Sequence, residues 1–271
     1  MHKSNKAAYY TIPYEAVYQN IDIKLNLPCL DYIERAGLGG AAANGIFEQY
    51  VREEWPDHII IFTDGSVRRN PDAAGYGIYS IKGEIEEAHG LTKYMSIFAA
   101  EMQAICRSLD IIKMKRWGKV IICSDSLSAL KAISNIVMGA QCHYLLIKVL
   151  KILSELSNNH QEVILVWVPS HCGIIGNERA DELAKSGLDL QPEQIKPDFL
   201  DICRYYKGKI FETWSKEWEE SSLIKGRWYA QIQNEPTKKN WFESYPPASR
   251  YFYTLMSRLR TNQATTENYL Y

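Results

Sequence analysis

No two of the six cysteines (Cys29, Cys106, Cys123, Cys142, Cys172, Cys203) form a CxxC pair. That absence argues against a zinc site and against a disulfide framework, and it fits a reducing compartment. No apolar run approaches the roughly 20 residues that span a bilayer, and the opening MHKSNKAAYYTIPYEAVYQN lacks the uninterrupted apolar stretch of a signal peptide. The expectation is a soluble intracellular protein, cytoplasmic or nuclear, not secreted, with no membrane partner. Net charge is nearly absent as well, at -1 with a pI near 6.6. A chain without an overall basic field must bind any nucleic acid through local features.

What is present is enough apolar material for one good core and a second, smaller unit: 46% of 271 residues are hydrophobic. Residues 1–57 mix Tyr-rich and Gly/Ala-rich pieces (LGGAAANG) and hold 5 Lys/Arg against 8 Asp/Glu. Apart from a possible helix near Ile46 to Glu54 they read as a leader or linker. From His58 the pattern sharpens. HIIIFTDGS is an apolar strand ending in turn residues, and GYGIYSIK and EIEEAHGL are two strands around Gly83, giving a three-stranded antiparallel start. Ser96 to Trp117 has Met102, Ile105, Leu109 and Ile112 at helical spacing and ends in a basic turn before Gly118. KVIICSD, SLSALKAIS, Tyr144 to Leu156 and EVILVWV then read as strand, helix, helix and strand. A Pro/Gly loop (PSHCGIIG) leads to a last helix, with Asn177 as its N-cap and Gly187 as its stop. The order predicts an α/β fold, a five-stranded mixed sheet with helices on both faces. Residues 191–271, with 12 Lys/Arg against 10 Asp/Glu, carry Ile210, Trp214 and Trp218 at helical spacing and read as a separate, helical, aromatic-rich extension.

Four acids stand where such a fold can gather them. Asp64 ends the first apolar strand in FTDGS, and Asp125 ends the fourth in CSDS; neighbouring strands would project both at one rim of the sheet, where α/β proteins usually place their sites. Glu101 lies near the start of the long helix, and Asp181 lies about one turn into the last. Taken singly, an Asp after a strand is more often a turn former or a cap. Taken together, converging carboxylates repel one another and raise their own pKa values unless a cation neutralises them, which predicts a divalent-metal site. Hard oxygen ligands favour Mg²⁺, with Mn²⁺ as a substitute, over zinc. Two such ions roughly 4 Å apart can activate a water and stabilise the leaving oxygen of a phosphodiester.

The stretches IFTDGS with NPDAAGYGIY, SIFAAEMQAI, ICSDSLSAL and VWVPSHCGIIGNERADELAK resemble, in order and across residues 58–190, type 1 ribonuclease H domains. The resemblance implies a ribonuclease H-like fold and hydrolysis of the RNA strand of an RNA/DNA hybrid, leaving 5′-phosphate and 3′-hydroxyl ends. It places the family's four metal-binding acids on Asp64, Glu101, Asp125 and Asp181, and its loop histidine, which helps move protons or release product, on His171. Asn177 and Glu178 match the pattern around the last acid. Gly65 and Ser66 of the DGS turn, Asn70 in the loop after the first strand, and Ser126 and Asn177 fall at positions implied to meet nucleic acid, with Arg68 and Arg69 available for phosphates.

The wording SIFAAEMQAI and PSHCGIIGNERAD is most like the ribonuclease H domains of insect-type non-LTR retrotransposons, where a reverse transcriptase precedes the domain; RLRTNQATTENYLY resembles the segment that follows it. Neither polymerase motifs nor the usual later Cys/His cluster is present, so the chain reads as a fragment or a free-standing gene of such origin, monomeric, with a reverse transcriptase module as the implied partner. Two departures are visible: Ile97 and Phe98 replace an amide pair before the helix Glu, and Leu127 replaces a Gln after the strand-four Asp-Ser. The basic handle of some cellular forms is also missing, since Tyr144 to Leu156 carries only Lys148 and Lys151. Weak hybrid binding in isolation is therefore expected.

The rival reading is a catalytically silent, hybrid-binding or connecting module of a polymerase polyprotein; loss of an acid would mark it, and none is lost. A Ser170, His171, Asp181 serine-hydrolase triad lacks a nucleophile elbow. The tail's aromatics beside Lys207, Lys209, Lys225 and Arg227 either stack on single-stranded bases or form core.

Overall fold

The fold is described from a computed structural model covering residues 21–135, 137, 142–224, 226–243 and 246–263. Lys225, the whole opening stretch of residues 1–20 and residues 264–271 of the closing segment named above lie outside the described residues.

Six strands form one sheet: β1 (Asp22–Lys24), β2 (Ile59–Arg69), β3 (Asp72–Ser80), β4 (Ile85–Leu91), β5 (Lys119–Ser124) and β6 (Glu162–Trp167), in the order β1-β6-β5-β2-β3-β4. β2, β3 and β4 pair antiparallel, while β2–β5, β5–β6 and β6–β1 are parallel. The parallel half is covered on both sides, so its strands read as unbroken apolar runs rather than alternating ones. Alternation survives in where the side chains go. Ile61, Val120, Ile122 and Leu165 enter one core, and Phe62, Ile121, Cys123, Ile164 and Val166 enter the other.

The first core is closed by α3 (Ile97–Lys115), α4 (Leu127–Ser134) and α5 (Tyr144–Asn158), with Met102, Ile105, Leu109 and Ile112 on the buried stripe. Ser96 caps α3, its hydroxyl accepting the Ala99 N–H at 3.2 Å. The second core is closed by α1 (Pro28–Arg35), α2 (Gly40–Glu54) and α6 (Ile175–Gly187).

Two expectations are corrected here. The sheet has six strands, and the stretch read as leader or linker supplies the sixth strand and two helices. β1 is only three residues long, too short to show a period. α2 hides Ala43, Phe47 and Val51 at four-residue spacing inside a Gly/Ala-rich segment, whose glycines masked its helical signal.

The chain divides into two compact units, residues 1–202 and residues 203–271. In the first, residues after α6 run beside the edge strand β4: Glu193 N–H donates to Gly90 O at 2.9 Å, and His89 places its two ring nitrogens 2.7 Å from Glu193 and 2.8 Å from Glu87. α7 (Phe199–Ile224) begins there and continues into the second unit, which adds α8 (Arg227–Ile232) and α9 (Arg250–Arg260). The second unit is organised by rings: Trp214, Trp218 and Tyr229 meet edge to face, as do Trp241, Phe242 and Tyr253.

Candidate active site

β2 is the central strand, and its register sets the site. Its parallel pairing with β5 stops at Thr63↔Ser124, so Asp64 and Asp125 are the next residues of two adjacent strands. The antiparallel pairing with β3 continues to Arg69↔Asp72. DGS is therefore not a turn, as its composition suggested, but the middle of a long strand, held there by the β3 ladder.

Two glycines let helices onto the sheet on either side of Asp64. A Cβ on Gly65 would lie 2.6 Å from Glu101 N, so only glycine allows α3 to bring Glu101 down to the strand. Gly77, opposite Asp64 in the ladder, meets α6 in the same way: a Cβ there would collide with Ala180 O. α6 consequently delivers Asp181 from the other face.

One oxygen each from Asp64, Glu101 and Asp125 lie within 4.8 Å of one another. Asp64 and Glu101 are each only 6% exposed. Burial, then the charges of Asp125 and Asp181, pushes the Asp64 carboxyl up to about 8. Burial, then Asp64 and Asp125, holds Glu101 well above the usual carboxylate range, against the lowering effect of the Gly65 N–H. Asp181 does not enter that trio, but it links the trio to a second group, since His171, Glu178 and Asp181 each offer an atom within 4.8 Å of the others. Lys185, one turn on, donates to Asp181 Oδ2 at 2.6 Å.

Asp125 is held from three sides. Ser170 donates its hydroxyl to Oδ2 at 2.9 Å, the Asn177 amide approaches the same oxygen at 3.4 Å, and the Trp167 indole N–H donates to the Asp125 carbonyl at 3.2 Å. Asn177 is thus not the N-cap of the last helix. α6 starts two residues earlier behind Ile174, and Asn177 sits inside it, 3% exposed, with its amide turned to Asp125. Likewise Gly187 is the last residue of the helix, and Leu188 follows as the cap.

His171 stands at the lip with a side chain 70% exposed, in a left-handed backbone conformation (φ 53°), its Nδ1 3.8 Å from Glu178. Gly65 and half-buried Ser66 lie within β2, and Ser126 begins α4, its N–H donating to Ser124 Oγ at 3.2 Å. Asn70 is exposed in the β2–β3 connection, six residues and about 20 Å of strand from Asp64, so it is not gathered with the acids. Arg68 is engaged by Asp189 at 2.9 Å and by Pro71 O, not free for phosphate as expected. Reading the sequence missed Ser170 as the support of Asp125 and Lys185 as the partner of Asp181. The i, i+4 Asp181–Lys185 spacing was the available signal for the second.

The donor set fits a divalent cation. Glu101 Oε2 is buried with no hydrogen-bond partner among the described residues, and every ligand offered by the trio is a hard oxygen.

Residues 56–189 match the RNase H family model. The ribonuclease H of Methylobacillus flagellatus is 33% identical over 141 residues, covering 91% of that protein and 48% of this chain. The chain belongs to the ribonuclease H family. The ribonuclease H of Aromatoleum aromaticum is 34% identical over 143 residues, covering 92% of that protein and 49% of this chain. Among solved structures, LC11-RNase H1 in complex with an RNA/DNA hybrid aligns at 27% identity, with 96% of that chain, 48% of this one and a TM-score of 0.39. The residues matched by the family model, 56–189, include all four acids.

Proposed function

We propose that residues 58–190 form the catalytic domain of an endoribonuclease that hydrolyses the RNA strand of RNA/DNA hybrids with Mg²⁺. The observation that carries this is the buried, unpartnered Glu101 Oε2 beside Asp64, two carboxyls held in their protonated form by burial first and by the neighbouring carboxylate charges second. Such a group is stable in its charged form only around a cation. Asp64, Glu101, Asp125 and Asp181 would hold the ions, which supply Lewis-acid activation of water and neutralise the leaving oxygen.

The residues of the chain do the rest. Asn177 and Ser170 fix the Asp125 carboxylate so that it cannot rotate away from Asp64. Lys185 restrains Asp181 at the rim. His171, exposed and beside Glu178, is placed to exchange a proton with water during turnover. The water oxygen bonds to phosphorus, the P–O3′ bond breaks, and the 3′-oxygen departs with a proton, leaving 5′-phosphate and 3′-hydroxyl ends. Ser66, Asn70 and Ser126 line the approach of the hybrid, which is read through 2′-hydroxyls in its shallow minor groove, while buried Gly65 and Asn177 act beneath that surface by seating Glu101 and Asp125.

The test is cleavage of a labelled hybrid beside single-stranded and double-stranded RNA, with and without EDTA, in the native chain and in Asp125→Asn. Cutting confined to the RNA of the hybrid, and lost with EDTA and with the variant, is the expected result. Undiminished cutting by Asp125→Asn would overturn the assignment. A folded chain that binds hybrid without cutting it would favour the silent module.

We also read the domain as retrotransposon-derived and working as a monomer beside a reverse transcriptase, on the wording of SIFAAEMQAI and PSHCGIIGNERAD. Sedimentation of the chain alone and with such a polymerase tests this; a self-associated chain indifferent to the polymerase would refute it.

A further inference from the structure

α9 carries a cationic cleft that the proposed hybrid chemistry does not use. Arg250, Tyr253, Thr254, Ser257, Arg258 and Thr261 line a shallow, open cleft of about 690 Å³. Positions 250, 254, 257, 258 and 261 recur at helical spacing and so share one side of the helix. Among the described residues no carboxylate lines the cleft, and α9 contains three arginines and no acid.

The three arginines are used differently. Arg260 is built into the unit: its guanidinium lies over the Tyr229 and Trp241 rings at 5.3 and 5.1 Å and donates to the Tyr229 hydroxyl and to Gln233 Oε1. Arg250 and Arg258 are exposed and form no salt bridge among the described residues. They stand eight residues apart, about 12 Å along the axis. That spacing suits a polymer with repeating charges, which can engage both at once.

Rings adjoin this cationic track. Tyr253, which lines the cleft, packs on Phe242 and Trp241 at 5.5 and 6.3 Å, and Phe242 is exposed. Guanidinium groups for phosphates beside π faces for bases are the combination that holds a single strand. We propose that the α9 cleft is a second nucleic-acid contact, taking the phosphate backbone of a single strand through Arg250 and Arg258, with Ser257 adding a hydroxyl next to Arg258. The polar lining favours this over a lipid surface, which takes the apolar face of a helix.

The test is fluorescence anisotropy of the full chain with a labelled oligo(dT) strand in EDTA, over a series of salt concentrations. For the double variant Arg250→Glu/Arg258→Glu, folded by circular dichroism, we expect affinity to fall by about tenfold or more, and the slope of log Kd on log salt to shrink by about 1.4, the value for two single-strand phosphates. The charge-matched control Lys115→Glu/Arg116→Glu, in an exposed turn of the first unit, should leave both quantities unchanged. Equal losses in the two double variants, no loss in either, or preferential binding to phosphatidylserine vesicles through the same arginines would each overturn the proposal. Because the readout is binding in EDTA, it is decided separately from whether the acids cut a hybrid.

Discussion

At the scale of residues, the carboxylates of the site work against the fold unless a cation neutralises them. The Asp64 carboxyl titrates near 8 in the folded chain, against a reference of 3.8. The folded state therefore holds that proton more tightly than the unfolded one. The stability this contributes is complete below about pH 4 and is lost as pH rises toward 8. In EDTA the Tm should fall between pH 5 and 8, and Asp64→Asn should flatten the fall and raise Tm at pH 8 by roughly 5 °C. Mg²⁺ should flatten it in the native chain only. Parallel falls in native and variant chains would show that Asp64 is not the group responsible. Gly65 makes a second residue-level prediction. A Cβ there meets the Glu101 backbone nitrogen at 2.6 Å, which cannot yield as a flexible side chain would. Gly65→Ala should cost about 1–3 kcal/mol in a denaturant melt and lower the rate of hybrid cleavage more than tenfold, because α3 must move Glu101 away from Asp64. The convergence of Asp64, Glu101 and Asp125 was legible in the sequence because each belongs to a contiguous motif. The support of Asp125 by Ser170 and Asn177 was not, although Asn177 stood out for other reasons, because it is a hydrogen bond across more than 40 residues of chain, which no spacing rule encodes.

At the scale of elements, legibility followed length and contrast. β2 with its neighbours, and α3 with its apolar stripe, exceed a full period and end in turn or basic residues, so their type could be read directly. The three residues of β1 could not, and α2 starts among glycines and alanines that carry little period. Yet α2 closes one face of the sheet: Phe47 is 1% exposed and packs near Phe62, ring centres 6.2 Å apart. Phe47→Ala should destabilise the domain by about 3–5 kcal/mol, read as a fall of roughly 10 °C in Tm, while the rate per folded molecule stays unchanged because Phe47 touches none of the acids. If the fall is under about 1 °C, residues 28–54 are only the linker that their composition suggested.

At the scale of the molecule, chemistry and charge are divided between the two units. Every acid of the site, with His171, Ser170 and Lys185, lies within residues 1–202. That unit is the acidic one: residues 203–271 hold 11 Lys/Arg against 7 Asp/Glu, although the whole chain is at -1. A near-zero net charge therefore conceals an acidic catalytic unit and a basic companion, and affinity for a polyanion should depend on the companion more than turnover does. Residues 1–202 alone should cleave the hybrid with a kcat within about twofold of the full chain, but with a higher KM and a shallower dependence of KM on salt. Single-turnover cleavage over a salt series separates the two quantities. If kcat collapses while the shortened chain remains folded, the second unit must instead act on the chemical step, and the division drawn from charge is wrong.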